Sequence, residues 1–329
     1  MCDPGQLPDL ADVDPAPELS FIIPALNEAD NIVRTLASIE REAAAYRHEV
    51  IVVDNGSTDA TAQLAQEAGA KVLLLPAGTI AAVRNHGVRY ARGRVLVFLD
   101  ADASLTSDWR EHLPASLIAL AATKPLVTGS HCSPPDHCSW IEHHWFREFA
   151  VEQNARHLGT GHMLIPRDFF LQMGGFDERL ETGEDYEFCQ RARAAGGEIV
   201  NNPQLRVVHH NFPRTLRQFI RREAWHGRGD LRSLRAFLQS KVALGASAFL
   251  VAHGLVLAGL LLPGVASLLP LGLLLLILLL AASTWKKYRY APWRSRFVNG
   301  GLFYAYYLGR SASLLYLFQR RSARAPRLA

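Results

Sequence analysis

The chain has 329 residues, of which 49% are hydrophobic and 20% are charged. At about 150 residues per domain, this length allows one large domain with an appendage or two domains, and the composition excludes a wholly disordered chain. Four cysteines are too few for a disulfide scaffold. The net charge of +4 is unevenly distributed, since residues 1–205 carry 16 Lys and Arg against 29 Asp and Glu, whereas residues 206–329 carry 19 against 2. The protein is therefore acidic in its first part and strongly basic in its last part.

The first 18 residues contain several acidic residues and no Lys or Arg, which does not fit the basic start of a secretory signal peptide. We expect residues 1–18 to be a disordered acidic lead. From residue 19 onwards, short apolar segments alternate with helical patterns. Strands are predicted at Leu19–Ile23, Val50–Val53, Lys71–Leu75 and Val95–Leu99, and helices at Asp30–Glu42, Thr58–Ala68 and Ile80–Ala91.

This alternation predicts an α/β fold in which a parallel sheet is covered by helices on both faces. Ligands of such sheets bind beyond the carboxyl ends of the strands. The polar residues that follow the strands are therefore the candidate site residues. Asp100 and Asp102 follow the last of the four predicted strands, and two carboxylates at this spacing can bind a divalent cation that bridges to a diphosphate. An isolated Asp-x-Asp is more often a solvated turn, so this interpretation depends on the other motifs.

Six motifs occur in order along residues 19–230. They are Phe21-Ile-Ile-Pro-Ala-Leu-Asn-Glu28, Val52-Val-Asp-Asn-Gly-Ser-Thr-Asp59, Ala82-Val-Arg-Asn-His-Gly87, Phe98-Leu-Asp-Ala-Asp102, Gly174-Gly-Phe-Asp-Glu178 and Gly183-Glu-Asp185. In their order and spacing they resemble a family 2 glycosyltransferase of the membrane-anchored, non-processive type. The resemblance implies a GT-A fold, which is the Rossmann-like fold of nucleotide-diphospho-sugar transferases.

The resemblance also implies a role for each matching residue. Asp102 would bind Mg²⁺ or Mn²⁺, and Asp185 would be the general base that deprotonates the acceptor hydroxyl, with Glu184 beside it. Asp54 would accept a hydrogen bond from the base of the donor nucleotide. The remaining donor-binding residues would be Pro24, Asn27 and Glu28 in the nucleotide pocket, Arg84 near the diphosphate and Asp100 near the ribose.

Members of the family often add a histidine metal ligand after a later strand. Here a strand is predicted at Leu205–Val208 and is followed by His209 and His210. We favour His210, because of its spacing to the helix that begins near Thr215, and keep His209 as the alternative. A surface strand end without a metal is an equally weighted interpretation of this pair.

The predicted function is metal-dependent, inverting transfer of a sugar from a nucleotide-diphosphate donor to a hydroxyl acceptor, which we expect to be a lipid-linked or cell-envelope glycan. Processive members usually carry Gln-x-x-Arg-Trp, which is absent from the stretch Arg221–Gly227, so addition of a single sugar is favoured. The alternative is a polyprenyl-phosphate glycosyltransferase that makes a lipid phosphosugar, although such enzymes usually lack the fifth and sixth motifs. A third hypothesis is an inactive nucleotide-sugar-binding scaffold. Candidate stacking platforms for the acceptor are Trp140, Trp145 and Trp225.

The last hundred residues, 231–329, are predicted to form a membrane region. Val242–Leu262 and Val265–Ser283 are apolar segments separated by Pro263-Gly264, and each is long enough to cross a bilayer of about 30 Å as a helix. Basic residues flank this hairpin on both sides, which predicts a multi-pass protein of the inner (cytoplasmic) membrane with both flanks and the catalytic domain in the cytoplasm. A buried helix pair in a soluble core is the alternative.

A third apolar stretch, Gly300–Phe318, carries Arg310 in its middle. We expect it to be an interfacial helix, with a third membrane span as the alternative. Anionic membrane lipids, and no nucleic acid, are the predicted partners of the basic region.

Overall fold

The computed structural model describes residues 16–147, 157–231 and 234–323. Nearly all of the predicted acidic lead lies outside these residues. The strands are β1 (Leu19–Ala25), β2 (His48–Asp54), β3 (Lys71–Leu74), β4 (Val95–Leu99), β5 (Ala103–Leu105), β6 (Leu126–Gly129), β7 (His162–Pro166), β8 (Glu198–Asn201) and β9 (Val207–His209). The helices are α1 (Ile32–Glu42), α2 (Thr61–Glu67), α3 (Ile80–Arg89), α4 (Ser107–Leu120), α5 (Arg167–Gln172), α6 (Glu184–Ala194), α7 (Leu216–His226), α8 (Leu234–Gln239), α9 (Lys241–Leu261), α10 (Leu268–Tyr288) and α11 (Trp293–Ala323).

The central sheet has seven strands in the order β3-β2-β1-β4-β7-β6-β8. Strands β3, β2, β1 and β4 are parallel, as the alternation of strands and helices predicts. Strand β7, which lies beyond the strands predicted from the sequence, runs antiparallel to both β4 and β6, so the complete sheet is mixed.

Strand β1 is buried along its whole length because it lies in the middle of the sheet. Its alternate side chains point to opposite faces. Phe21 and Ile23 belong to a core that includes Trp109 of α4, whereas Ile22 belongs to a second core on the other face with Phe98 of β4. The two cores hold the carboxyl ends of β1, β2 and β4 rigidly at one edge of the sheet.

A short second sheet pairs β5 with β9 in the antiparallel direction. Ser104 is opposite Val208, and Ala103 is opposite His209. This pairing brings His209, the last residue of β9, and His210, which follows it, to the turn that contains Asp100 and Asp102. Helix α7 then begins with a capping box in which Thr215 and Gln218 exchange hydrogen bonds.

Helices α9 and α10 form an antiparallel hairpin joined by a short 3₁₀ turn at Pro263–Val265. They approach closely at Gly272, where a Cβ atom would lie 2.7 Å from the carbonyl oxygen of Ala252. Both are long and apolar enough to cross a membrane, and only 22% and 11% of their most apolar windows are buried. In a helix pair buried in a soluble core, most of the residues in these windows would be buried.

Helix α11 is longer than predicted, since it begins at Trp293 rather than at residue 300. It packs against α7, α9 and α10. A third core is shared between these helices and the α/β part, and Trp145, Phe219, Phe249, Tyr288 and Phe303 are among its members. The helices after residue 240 therefore pack directly on the part of the chain that carries the sheet.

Candidate active site

Two carboxylates and one imidazole meet beyond the end of β4. The ligand atoms of Asp100, Asp102 and His209 all lie within 4.8 Å of one another. His209 Nε2 is 3.2 Å from Asp102 Oδ1 and 3.9 Å from Asp100 Oδ2. The antiparallel pairing of β5 with β9 produces this arrangement, because it places His209 opposite the residue that follows Asp102.

His210, which the sequence analysis favours as the metal ligand, lies on the other side of this strand. Its Nε2 is 3.0 Å from the hydroxyl of Ser104, and its backbone N–H donates to the carbonyl oxygen of Asp102. Successive side chains of an extended segment point in opposite directions, so only one of the two imidazoles can reach the carboxylates. The preference for His210 is therefore corrected to the alternative, His209.

The donor set of this cluster suits a divalent cation. Burial and the neighbouring charge of Asp100 raise the pKa of Asp102 to about 7, so a cation bound beside this carboxylate would be favoured. Burial lowers the pKa of His209, so its imidazole is neutral at pH 7 and available as a ligand. Carboxylate oxygens with one imidazole nitrogen fit Mg²⁺ or Mn²⁺.

Arg84 of α3 is buried and bridges two acidic side chains. It donates from one terminal nitrogen to Glu184 and from the other to Asp100, each at 2.8 Å. The resemblance places Arg84 near a diphosphate. The structure places it within a continuous line of charges, from Asp102 through Asp100 to Glu184, and its buried Nε has no hydrogen-bond partner among the described residues. Arg84 thus holds Asp100 in its place within the metal cluster.

Asp185 and Glu184 begin helix α6 and differ in their surroundings. Glu184 is buried and committed to Arg84. Asp185 is half-buried, and its Oδ1 accepts a hydrogen bond from the backbone N–H of Tyr186 at 2.6 Å. Gly159 lies beside its Oδ2, since a Cβ atom on this glycine would be 3.6 Å from that oxygen. Burial raises the pKa of Asp185, and the charges of Arg84 and Asp100 also act on it. Of the two candidate bases, Asp185 is the one that forms no ion pair among the described residues, whereas Glu184 is bound to Arg84.

The carboxyl ends of β1 and β2 form the opposite wall. Oδ2 of Asp54 accepts from the backbone N–H groups of Gly56 and Ser57, whereas its buried Oδ1 has no partner among the described residues. Asn27, at a φ of +56°, accepts from the backbone N–H of Thr58 and ties the two strand ends together.

Two further predicted residues belong to this wall. Burial raises the pKa of Glu28, and the charges of Asp102 and Asp100 add to this effect, so the Glu28 side chain lies near the carboxylate cluster. Pro24 is buried within β1, opposite Val53. Its side chain is therefore packed inside the sheet and is not exposed to a ligand.

The three tryptophans proposed as acceptor platforms separate into two groups. Trp140 and Trp225 are half exposed. Trp145 is only 3% exposed and packs against Phe219, Tyr288 and Phe303. No face of its ring is open to an acceptor, so Trp145 is corrected to a core residue.

An aromatic stack that was not predicted from the sequence begins at the metal cluster. The rings of His209 and Phe212 are stacked at 4.6 Å, those of Phe212 and Phe146 at 4.1 Å, and the guanidinium of Arg222 lies 5.1 Å from the ring of Phe146. The sequence does contain one pattern that points to this region as functional. Gln218 and Arg221 have the Gln-x-x-Arg spacing of the processive signature, with Arg222 where tryptophan would stand.

Comparison with known proteins agrees with this geometry. The family described as glycosyl transferase family 2 matches residues 20–165, and the glycosyl transferase family group 2 matches residues 138–285. The uncharacterized glycosyltransferase Rv0539 of Mycobacterium tuberculosis is 30% identical over 188 residues, which cover 55% of this chain and 82% of the relative. Glycosyltransferase AglE of Haloferax volcanii is 28% identical over 194 residues, which cover 55% of this chain and 62% of the relative.

A solved structure is similar along nearly the whole chain. It is the mannosyltransferase PcManGT of Pyrobaculum calidifontis, in complex with GDP-Man and Mn²⁺, with a TM-score of 0.56 and 18% identity over 93% of this chain and 88% of that one. This likeness shows that the fold is GT-A. Because the motifs, the family match and the mycobacterial relative agree, the chain belongs to glycosyltransferase family 2.

Proposed function

We propose that this protein transfers a sugar, with inversion, from a nucleotide-diphosphate donor to a hydroxyl of a lipid-linked or cell-envelope glycan at the cytoplasmic face of a membrane. The observation that carries the proposal is the meeting of Asp100, Asp102 and His209 beyond β4, with Glu184, the neighbour of Asp185, linked to Asp100 through Arg84. A scaffold that only binds nucleotide sugars would have no use for a further carboxylate, Asp185, whose pKa is raised by burial beside this cluster.

The donor nucleotide would lie against the ends of β1 and β2. The two backbone N–H groups that bind Asp54 Oδ2 fix this carboxylate, and its buried Oδ1, which has no partner among the described residues, would accept a hydrogen bond from the nucleotide base. The tie between Asn27 and Thr58 keeps the pocket wall in place. The complex of the Pyrobaculum mannosyltransferase with GDP-Man supports a donor of this class.

Asp100, Asp102 and His209 would hold a divalent metal ion. When bound there, such an ion supplies positive charge that stabilises the diphosphate as it leaves. Arg84 keeps Asp100 in position from the other side, since both of its terminal nitrogens are committed to carboxylates. The presence of Mn²⁺ in the complex of the Pyrobaculum mannosyltransferase supports a divalent metal for this protein as well.

Asp185 would remove the proton of the acceptor hydroxyl as its oxygen attacks the anomeric carbon. A general base works best when its pKa lies near the working pH, and burial moves the pKa of Asp185 in that direction. One direct displacement inverts the anomeric configuration. Retention would need a second displacement and a second positioned carboxylate, and Glu184 is committed to Arg84.

The alternative is transfer to the phosphate of a polyprenyl phosphate. A phosphate oxygen is already ionised at pH 7, so this reaction needs no general base, and the half-buried Asp185 favours the hydroxyl acceptor. The two reactions leave different products. A lipid phosphosugar is labile to mild acid, whereas a glycoside formed on a hydroxyl is stable under the same conditions.

A panel of nucleotide sugars tests the proposed function. We expect one of them to raise the melting temperature of the full chain in the presence of Mn²⁺, and to be hydrolysed slowly without an acceptor. EDTA should abolish both effects, added Mn²⁺ should restore them, and Asp102→Asn should lack them. Asp168→Asn is the control, because that side chain is 99% exposed and remote from the cluster. Full hydrolysis in excess EDTA would show that the cluster is not a functional metal site.

A further inference from the structure

A cavity of about 370 Å³ lies beside the metal cluster, apart from the residues proposed to bind the donor nucleotide. We propose that it binds the phosphate group of a membrane-anchored acceptor, and this inference rests on the proposed function. Its lining comes from the segment after β9 and from the first half of α7: His210, Asn211, Phe212, Pro213, Arg214, Gln218 and Arg222. Two arginines and no carboxylate line it, which is the composition of a phosphate site.

The cavity adjoins the reacting centre. The ring of Phe212 forms part of its wall and stacks on His209, which belongs to the metal cluster. The stack continues through Phe146 to Arg222. A phosphate bound by Arg222 would therefore be separated from the metal cluster by two stacked rings, and the acceptor sugar attached to it would extend toward the donor.

The two arginines of the cavity are only partly neutralised by acidic neighbours. Arg214 is 3.6 Å from the buried carboxylate of Glu142, and Arg222 is 3.1 Å from that of Glu223. Glu223 also binds Arg310, at 3.0 Å, so it is shared between two arginines. Both glutamates lie outside the lining of the cavity, whereas Arg214 and Arg222 belong to it.

Gln218 adds a hydrogen-bond donor. Its Oε1 accepts from the backbone N–H groups of Arg214 and Thr215, which orients the side-chain amide. Within the described residues its Nε2 has no hydrogen-bond partner. An amide held by its oxygen in this way can donate to a phosphate oxygen without further ordering.

Helix α7 connects the cavity to the membrane helices, which favours a lipid as the carrier of the phosphate. Its other side packs on α11, where a Cβ atom on Gly309 would lie only 2.7 Å from the carbonyl oxygen of Ile220. Helix α11 packs in turn on α9 and α10. An amphiphile whose apolar chain lies along the hairpin could place its phosphate in the cavity without leaving the bilayer. A free phosphate has no apolar chain, so the proximity of the membrane helices would not strengthen its binding.

The test uses the full chain in a non-ionic detergent and farnesyl phosphate as the probe, with binding measured by calorimetry. Farnesol has the same apolar chain without the anion, and inorganic phosphate has the anion without the chain. We expect farnesyl phosphate to bind at least about tenfold more tightly than either. Loss of one charge-assisted hydrogen bond lowers a binding affinity by about a factor of ten or more. Arg214→Gln and Arg222→Gln should therefore each weaken the binding of farnesyl phosphate by about that factor.

Arg217→Gln is the matched control, because Arg217 is an exposed residue of the same helix that does not line the cavity. Arg222→Lys keeps the charge and should retain most of the affinity, which separates loss of binding from loss of the fold. Equal binding of inorganic phosphate would overturn the assignment to a lipid, and unchanged affinity in both glutamine variants would overturn the site.

Affinity for the nucleotide sugar with Mn²⁺ is measured in parallel. If Arg214→Gln and Arg222→Gln weaken the binding of the nucleotide sugar more than the binding of farnesyl phosphate, the arginines bind the donor diphosphate and the inference is wrong. The two proposals can also fail separately. A wild-type protein that binds a nucleotide sugar but not farnesyl phosphate contradicts only the acceptor site, whereas binding of farnesyl phosphate without any nucleotide sugar contradicts the proposed function.

Discussion

Glu184 and Asp185 are adjacent carboxylates whose chemistry differs because of their neighbours. Glu184 is fixed by Arg84, whereas Asp185 forms no ion pair among the described residues. The sequence alone named both as candidates for the base and could only rank them by resemblance. Burial raises the pKa of both carboxylates, so their ranking rests on geometry: the guanidinium of Arg84 occupies Glu184 at 2.8 Å.

Asp185→Asn should separate chemistry from binding. Asparagine is nearly isosteric and can cap the helix equally well, so the fold and the donor affinity should stay within a few-fold of wild type. Loss of the general base should lower the transfer rate by about 10²–10⁴-fold. The measurement is single-turnover transfer together with donor titration.

Asp168→Asn is the control for this experiment. Asp168 occupies the second position of α5, as Asp185 does in α6, but it is exposed. It should be silent in transfer. If Asp185→Asn were equally silent, Asp185 would be only a helix-terminal residue and another group would have to act as the base.

The pH dependence of transfer follows from the same side chain. A general base must be deprotonated, and burial raises the pKa of Asp185 above the usual value of about 3.9 for aspartate. The rate at low acceptor concentration should therefore fall on acidification at a higher pH than for an ordinary carboxylate. We would measure this profile at saturating Mn²⁺, because the metal displaces the proton from Asp102. An acid limb near pH 4 would contradict the assignment.

Helix α7 is the element that joins the two parts of the chain. Its first half lines the cavity, and its last turn carries Glu223, which is 2% exposed and accepts from Arg310 of α11. Arg310 is the charge that made Gly300–Phe318 unfavourable as a membrane span in the sequence analysis. Its ion pair with Glu223 explains how this charge is accommodated beside apolar helices.

Glu223→Gln should destabilise the junction of α7 with α11. Removing one partner of a buried ion pair leaves a poorly compensated charge and costs about 3 kcal/mol. We expect a clear fall in the melting temperature of the detergent-solubilised chain. The double variant Glu223→Gln/Arg310→Gln should recover part of the loss, and Arg217→Gln should cause none. A melting temperature of Glu223→Gln equal to that of Arg217→Gln would mean that the ion pair does not contribute to the junction.

At the scale of the whole molecule, the hairpin predicts a membrane topology. Basic residues lie before α9 and after α10, so both ends should face the cytoplasm with the catalytic part. Topology reporters fused after Ser240 and after Arg296 should report the same side. Reports from opposite sides would show an odd number of spans between the two positions.

The local features of this protein could be predicted from its sequence. The strands β1 to β4, the helices between them and the two apolar helices follow from periodicity and length, which depend only on neighbouring residues. The family, the Asp100–Asp102 pair and Asp185 follow from motifs of a few residues each. The predicted elements and the family are confirmed because each has its pattern in its own segment, whereas the roles of the site residues stay predictions.

Only the tertiary structure decided which of these residues meet. Arg84 is 100 residues from Glu184, and Glu223 is 87 residues from Arg310, so no local pattern relates them. The choice of His209 over His210 depends on the register of β5 with β9, and a shift of one residue would reverse it. The burial of Trp145 depends on helices that follow it by more than 140 residues. Side-chain partners are set by the packing of distant elements, and that packing is a property of the whole chain.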